Sequence, residues 1–194
     1  MALWDMLDRD TAGVIVGGSE VFLGPWTTNG GAASPLTSCG YTRGDSVFTP
    51  NMEVTDIESE QTVSPVLTFV SGAKFQWEFE LLQNNLQNLR VALSQAQGQI
   101  AGAANGTILA FGEPVLEYFQ MKIVTAGPGT GTTHAGTKID TYLLWNVLLR
   151  MNGGLAFGKK SPQSIKMIAS ILPDSTITET TPVTKGIYGN RTLA

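Results

Sequence analysis

One cysteine, one histidine and few charges mark this chain of 194 residues. Cys39 has no second cysteine to pair with, which excludes an internal disulfide and fits folding and assembly in a reducing compartment. His134 has only Cys39 as a soft co-ligand, short of the four His and Cys ligands that a structural zinc site gathers. No apolar run approaches the ~20 residues of a membrane helix, so no membrane insertion is expected. The opening residues Met-Ala-Leu-Trp-Asp-Met-Leu-Asp-Arg-Asp are acidic and lack the apolar stretch of a secretory signal. Together these features predict a soluble protein. Charged residues make up only 14% of the chain, where about 25% is ordinary. Depleted charge is a mark of surfaces that meet other protein, although a Thr-rich β-protein with polar, uncharged strands would share the composition. The net charge of −4 argues against tight nucleic-acid binding, which needs clustered Lys and Arg. It leaves room for DNA to pass nearby without adhering.

What is present is β-pattern. With 42% hydrophobic residues, the chain has enough apolar material for one domain with a proper core. Phe75, Trp77, Phe79 and Leu81 alternate with Gln76, Glu78 and Glu80, which predicts a strand with one apolar and one polar face. Val21-Phe22-Leu23, Thr42 to Phe48, Met52 to Thr62 and Val66 to Val70 read as extended, with breaks at Thr49-Pro50-Asn51 and at Pro65. Leu86, Leu89 and Leu93 recur at helical spacing and predict one helix, Asn84 to Gln97, with Asn84 or Asn85 as its cap. Glu117 to Thr125 and Ile139 to Leu149 read as an antiparallel pair, and Ile165 to Leu172 as the last strand. Residues 1–13 form a short arm, and the Thr-rich stretch 173–194 an extended C-terminal arm. One helix amid several strands predicts a mainly β fold, a β-sandwich or barrel with one flanking α-helix.

Chemical motifs are weak. Gly127-Pro-Gly-Thr-Gly131 follows a strand as a phosphate loop does, but Thr132 stands where the phosphate-binding Lys belongs, and the segment beyond reads as strand. It is better read as a hairpin tip carrying His134. Nothing like Gly-x-Ser-x-Gly surrounds a serine. The chain is therefore expected to be no enzyme and to need no cofactor. Carboxylates are more suggestive. Asp56, Glu58 and Glu60 share one face of their strand, and Glu78 and Glu80 one face of theirs. A solvated sheet face, an acid–base pair and an acidic wall that repels phosphate all fit this pattern.

The run Phe22-Leu23-Gly24-Pro25, Cys39-Gly-Tyr-Thr-Arg-Gly44, Val54 to Thr62, Pro65-Val66, the alternating strand and Asn88 to Leu93 resembles the tail tube (major tail) proteins of long-tailed, non-contractile bacteriophages and related gene-transfer particles. The likeness covers about residues 20–95. It implies a β-sandwich-like barrel with a flanking helix, a long interlocking loop and terminal arms. It further implies six copies to a ring, with rings stacked into a virion tube that meets tail terminator, tape-measure and distal tail proteins. Double-stranded DNA would leave through the lumen without specific binding, and the tube would be assembled in the bacterial cytoplasm. On this resemblance Asp56, Glu58, Glu60, Glu78 and Glu80 become candidates for the lumen or rim. Residues 24–40 and 49–74 become candidate inter-ring loops, and Leu3, Trp4 and Leu7 parts of an inter-subunit arm. Rival expectations are another ring or tube component, such as a distal-tail, terminator or injection-system tube protein, and a β-sandwich module that binds glycan or receptor through Trp4, Trp26, Trp77 or Trp145.

Overall fold

The computed structural model describes residues 19–28, 36–57, 67–101, 108–126, 139–155, 164–177 and 185–193. Leu3, Trp4, Leu7, Glu58, Glu60 and the whole Gly127 to Lys138 loop lie outside these. Ten strands and one α-helix follow in order: β1 (Ser19–Pro25), β2 (Thr37–Tyr41), β3 (Val47–Ile57), β4 (Leu67–Leu81), α1 (Leu86–Ala92), β5 (Ile100–Ala101), β6 (Ile108–Leu109), β7 (Tyr118–Ala126), β8 (Ile139–Met151), β9 (Ile165–Leu172) and β10 (Gly189–Leu193). The architecture is mainly β. Eight strands form one antiparallel sheet in the order β2-β1-β7-β8-β9-β4-β3, with β10 added on β8, and β5 and β6 form a separate small ribbon.

Alternation along the central strands builds the core. Trp77, Phe79 and Leu81 of β4 lie level with Ala169, Met167 and Ile165 of β9, and all six are buried. Val147 and Leu149 of β8 continue the same apolar layer. The sheet curls until its two sides touch: Thr42 bridges Leu81, and the Arg43 N–H donates to Glu80 O at 2.7 Å. A bulge aids the curl, because Trp145 and Asn146 of β8 together oppose the single residue Gln120 of β7. At that point β8 exchanges β10 for β9 as its neighbour.

Several sequence expectations change here. Phe75 to Leu81 is strand as expected, but it is the end of a 15-residue strand that absorbs Val66 to Val70 apart from Val66 itself. Pro50 does not break its segment; β3 runs through it as an edge strand, where a residue without an N–H is tolerated. The helix is seven residues long, not the fourteen from Asn84 to Gln97. Asn85 caps it, its side chain accepting from Asn88 N. It stops because Ser94 takes a left-handed φ of 53° and the buried Arg90 reaches forward to Gln95 O at 2.9 Å. Its buried face holds Asn88, Arg90, Val91 and Ala92, whereas Leu86, Leu89 and Leu93 are half-buried. Asn88 ties helix to sheet by donating to both Cys39 O and Gln83 O. Gly40, beside this clamp, needs its missing Cβ: its φ is +102°, and a Cβ would fall 2.5 Å from the Gln83 side chain.

The stretch 173–194 differs most from expectation, because its described parts fold back instead of leaving as an arm. Asp174 and Ile177 are buried, and β10 pairs with β8 from Leu144 to Asp140. Asp140 is fully buried and accepts three hydrogen bonds from the Arg191 guanidinium, the shortest 2.7 Å. That bond raises the pKa of Arg191, and burial, with Asp140 beside it, raises that of Tyr142. Arg191 also lies over the Tyr142 ring, which meets Trp77 edge-on at 4.8 Å. Among the described residues, no helix is long and apolar enough to cross a membrane.

Candidate assembly surface

The largest feature left unfinished by the fold is the β3–β4 hairpin. β4 pairs with β9 only from Phe75 onward. Its first eight residues, Leu67 to Lys74, have only β3 for a neighbour among the described residues. Every residue of β3 is exposed, and among the described residues nothing pairs with its outer edge. Among the described residues the hairpin is thus an arm: a two-stranded extension with no further strand beside it and no layer beneath it.

Its root is anchored by aromatics. Phe48 stacks on Phe75 at 5.9 Å and tilts against Trp77 at 5.3 Å, while the Trp77 indole N–H donates to Ser46 Oγ. Beyond the root, Ser71 is an extra residue on β4, between the pairs Glu53–Gly72 and Val54–Val70, and its hydroxyl donates to Glu53 O. This bulge adds twist and re-aims the outer half of the arm. Val54 and Ile57 of β3 and Val70 of β4 stand there at 57, 48 and 59% exposure, and Met52, just on the root side of the bulge, at 61%. Such aliphatic exposure on an open strand edge is a template for another chain. Polar bonds along the arm are local: Glu53 with Lys74, and Asp56 accepting from the Thr68 hydroxyl at 2.7 Å.

A second apolar stretch leads into β7. Phe111, Val115, Leu116 and Tyr118 are exposed, Phe111 by 75%. Their backbone is tied inward, with Val115 N donating to Ser94 O and Gly112 N to Gln95 Oε1. Arg90 completes the mount through Glu117 at 2.7 Å. The segment therefore holds its apolar side chains outward on a fixed base.

The predicted carboxylates separate. Glu78 and Glu80 lie on the sheet face opposite the core, as their alternation implies. Asp56 lies on the arm, opposite Thr68, about 30 Å along β3 from the residue that faces Glu78. The face around Glu78 and Glu80 is of mixed charge. Across the strands Glu78 is level with Ile168 and then Arg150, and Glu80 is level with Lys166. Glu80 also accepts from the Ser164 hydroxyl and lies 3.8 Å from Arg43. Of the described tryptophans, Trp77 and Trp145 are buried and Trp26 is 36% exposed. Cys39 is no ready nucleophile: burial pushes its thiol up to about 12, so it stays protonated at neutral pH.

Sequence reasoning placed residues 49–74 among candidate contact loops but did not single out Met52, Val54, Ile57 and Val70, nor Phe111, Val115 and Leu116. The first group had a readable signal, aliphatics on a segment that also carries Pro50, the residue of an edge strand. The second had none, since a short apolar run reads equally as core. In comparison with known proteins, no family model and no curated protein matches the chain.

Proposed function

We propose that the chain is a structural subunit of a tail tube of the long non-contractile type, which closes into hexameric rings and stacks them into a conduit for DNA. The observation that supports this most is the arm. A free edge strand of eleven residues, exposed throughout and bearing Val47, Met52, Val54 and Ile57, is an aggregation hazard unless another copy covers it. In this reading the edge meets a different surface of the next copy, a heterologous contact that closes into a ring or continues as a filament. The tail-tube type of sandwich or barrel belongs to this reading, as does an N-terminal arm, carrying Leu3, Trp4 and Leu7, that interlocks neighbours. In it the Glu78 and Glu80 face lines the lumen, and Asp56, on the arm, makes rim contacts. The subunit has no chemistry of its own, resides in the virion tail, and meets tail terminator, tape-measure and distal tail proteins.

Negative-stain electron microscopy across a concentration series, read beside elution volume, tests this reading. Stacked rings or hollow tubes with a lumen wide enough for duplex DNA are the expected result. Discrete rings that never stack would instead assign a terminator or distal component. A monomer that stays inert with tail-tip extract and shifts its tryptophan fluorescence with a glycan would assign the binding module.

A further inference from the structure

We propose that Asn152 is a site of spontaneous covalent modification, converting to aspartate and isoaspartate through a cyclic imide formed with Gly153. Asn152 directly follows β8 and opens an exposed turn with Gly153 and Gly154. Its own N–H is held, donating to Lys166 O at 2.8 Å. Beyond that bond the turn is open. Gly153 has a φ of +93°, and no heavy atom lies within 4 Å of where a Cβ would stand on Gly153 or Gly154. Among the described residues, no hydrogen bond occupies the Gly153 N–H. These are the conditions for ring closure: a free main-chain nitrogen, no side chain to screen it, and the rotational freedom of glycine.

The chemistry needs only water and a base from solvent. The Gly153 nitrogen gives up its proton and attacks Asn152 Cγ. A C–N bond forms, and the tetrahedral centre expels the side-chain nitrogen as ammonia, leaving a five-membered imide. Water then opens the ring at either carbonyl. One opening restores the main chain with aspartate at position 152, and the other routes the main chain through Cβ as isoaspartate. One water is consumed, one ammonia is released, and nothing is oxidised or reduced. Loss of the amide proton limits the first step, so the rate rises with pH.

The product changes the surface. Glu80 and Lys166 are neighbours across β4 and β9, and Asn152 extends that row on the far side of Lys166. A row with one acid and one base gains a second acid, and the isoaspartyl form lengthens the turn by one main-chain carbon. Six other described asparagines, Asn51, Asn84, Asn85, Asn88, Asn146 and Asn190, precede residues with side chains and serve as internal controls.

The test is prolonged incubation of the intact protein at neutral and mildly alkaline pH, followed by peptide mapping with mass spectrometry. The peptide spanning Asn152 is expected to gain one mass unit and split into two isomers, faster at the higher pH, while the control asparagines stay intact. Gly153→Ala, which screens the nitrogen, is expected to slow the change by at least about tenfold, and Asn152→Gln to slow it comparably through the larger ring required. If Asn152 persists in the folded protein while a free peptide covering residues 150–155 converts under the same conditions, the turn protects it and the proposal is wrong. Equal conversion at the six control positions would overturn it as well.

Discussion

β4 is one strand living in two environments. From Phe75 to Leu81 it pairs with β9, with β3 on its other side as far as Glu78, and its odd-numbered side chains face the core, Trp77 and Phe79 each 4% exposed. From Leu67 to Lys74 it has, among the described residues, one neighbouring strand and no layer beneath, and Val70 is 59% exposed. Both halves carry apolar residues, so composition does not separate them. What differs is the presence of β9. Body and arm therefore make opposite demands on a substitution: the body stores stability, and the arm exposes surface that no described residue of the chain covers.

The largest effect that would sharpen this contrast is in the body. Trp77→Ala removes a buried ring that meets Phe48, Tyr142 and the apolar layer of β9. A loss of about 4 kcal/mol is expected, which lowers the thermal midpoint by roughly 10 °C for a domain of this size. Calorimetry reads it directly. A midpoint unchanged by Trp77→Ala would mean that the core does not run through β4 at all.

Next comes the β10 attachment. Arg191→Met leaves the Asp140 carboxylate buried without its guanidinium partner. Breaking a buried pair typically costs about 3–5 kcal/mol, but the Arg191 side chain is 58% exposed, so about 2 kcal/mol is the expected loss. Asp140→Asn with Arg191→Met should recover part of it. If the single change costs nothing by denaturant unfolding, β10 is as loosely held as the arm. Smaller again is Asn85→Ala, which removes the cap of α1 and should cost about 1 kcal/mol.

How far these regions could be read in advance follows the same division. The alternation at Phe75 to Leu81 was legible because one face is buried and the other is not. The cap at Asn85 was legible because capping is local chemistry. The end of α1 was not, since Arg90 bonding to Gln95 O and to Glu117 depends on where the residues before β7 come to lie. β10 was hidden because Gly-Asn-Arg-Thr-Leu carries almost no apolar pattern. Its place is set by Arg191 finding Asp140, 51 positions away, and by Gly189 fitting where a Cβ would fall 2.3 Å from Leu143 O. In the candidate surface, the shared face of Glu78 and Glu80 could be read from the period of two. Their basic neighbours Arg150 and Lys166 could not, because strand register is not written in any one strand.

The smallest expected change in stability is on the arm, and it is also where the contrast is most exposed to failure. Met52→Glu with Val54→Lys leaves the net charge unaltered and replaces two side chains that are 61 and 57% exposed. Because neither supports the core, the midpoint should stay within about 0.5 kcal/mol of the parent. Self-association should nevertheless vanish, since two opposite charges now stand on the face that another copy would have to desolvate. Sedimentation velocity of parent and variant over one concentration series, run beside a thermal melt, measures both quantities on one sample. A lowered midpoint with unchanged assembly would mean that the arm belongs to the body and that the joining surface is elsewhere, with the Phe111 to Tyr118 segment the next to alter. An unchanged midpoint with assembly lost would assign folding to the Phe75 half of β4 and joining to the Leu67 half.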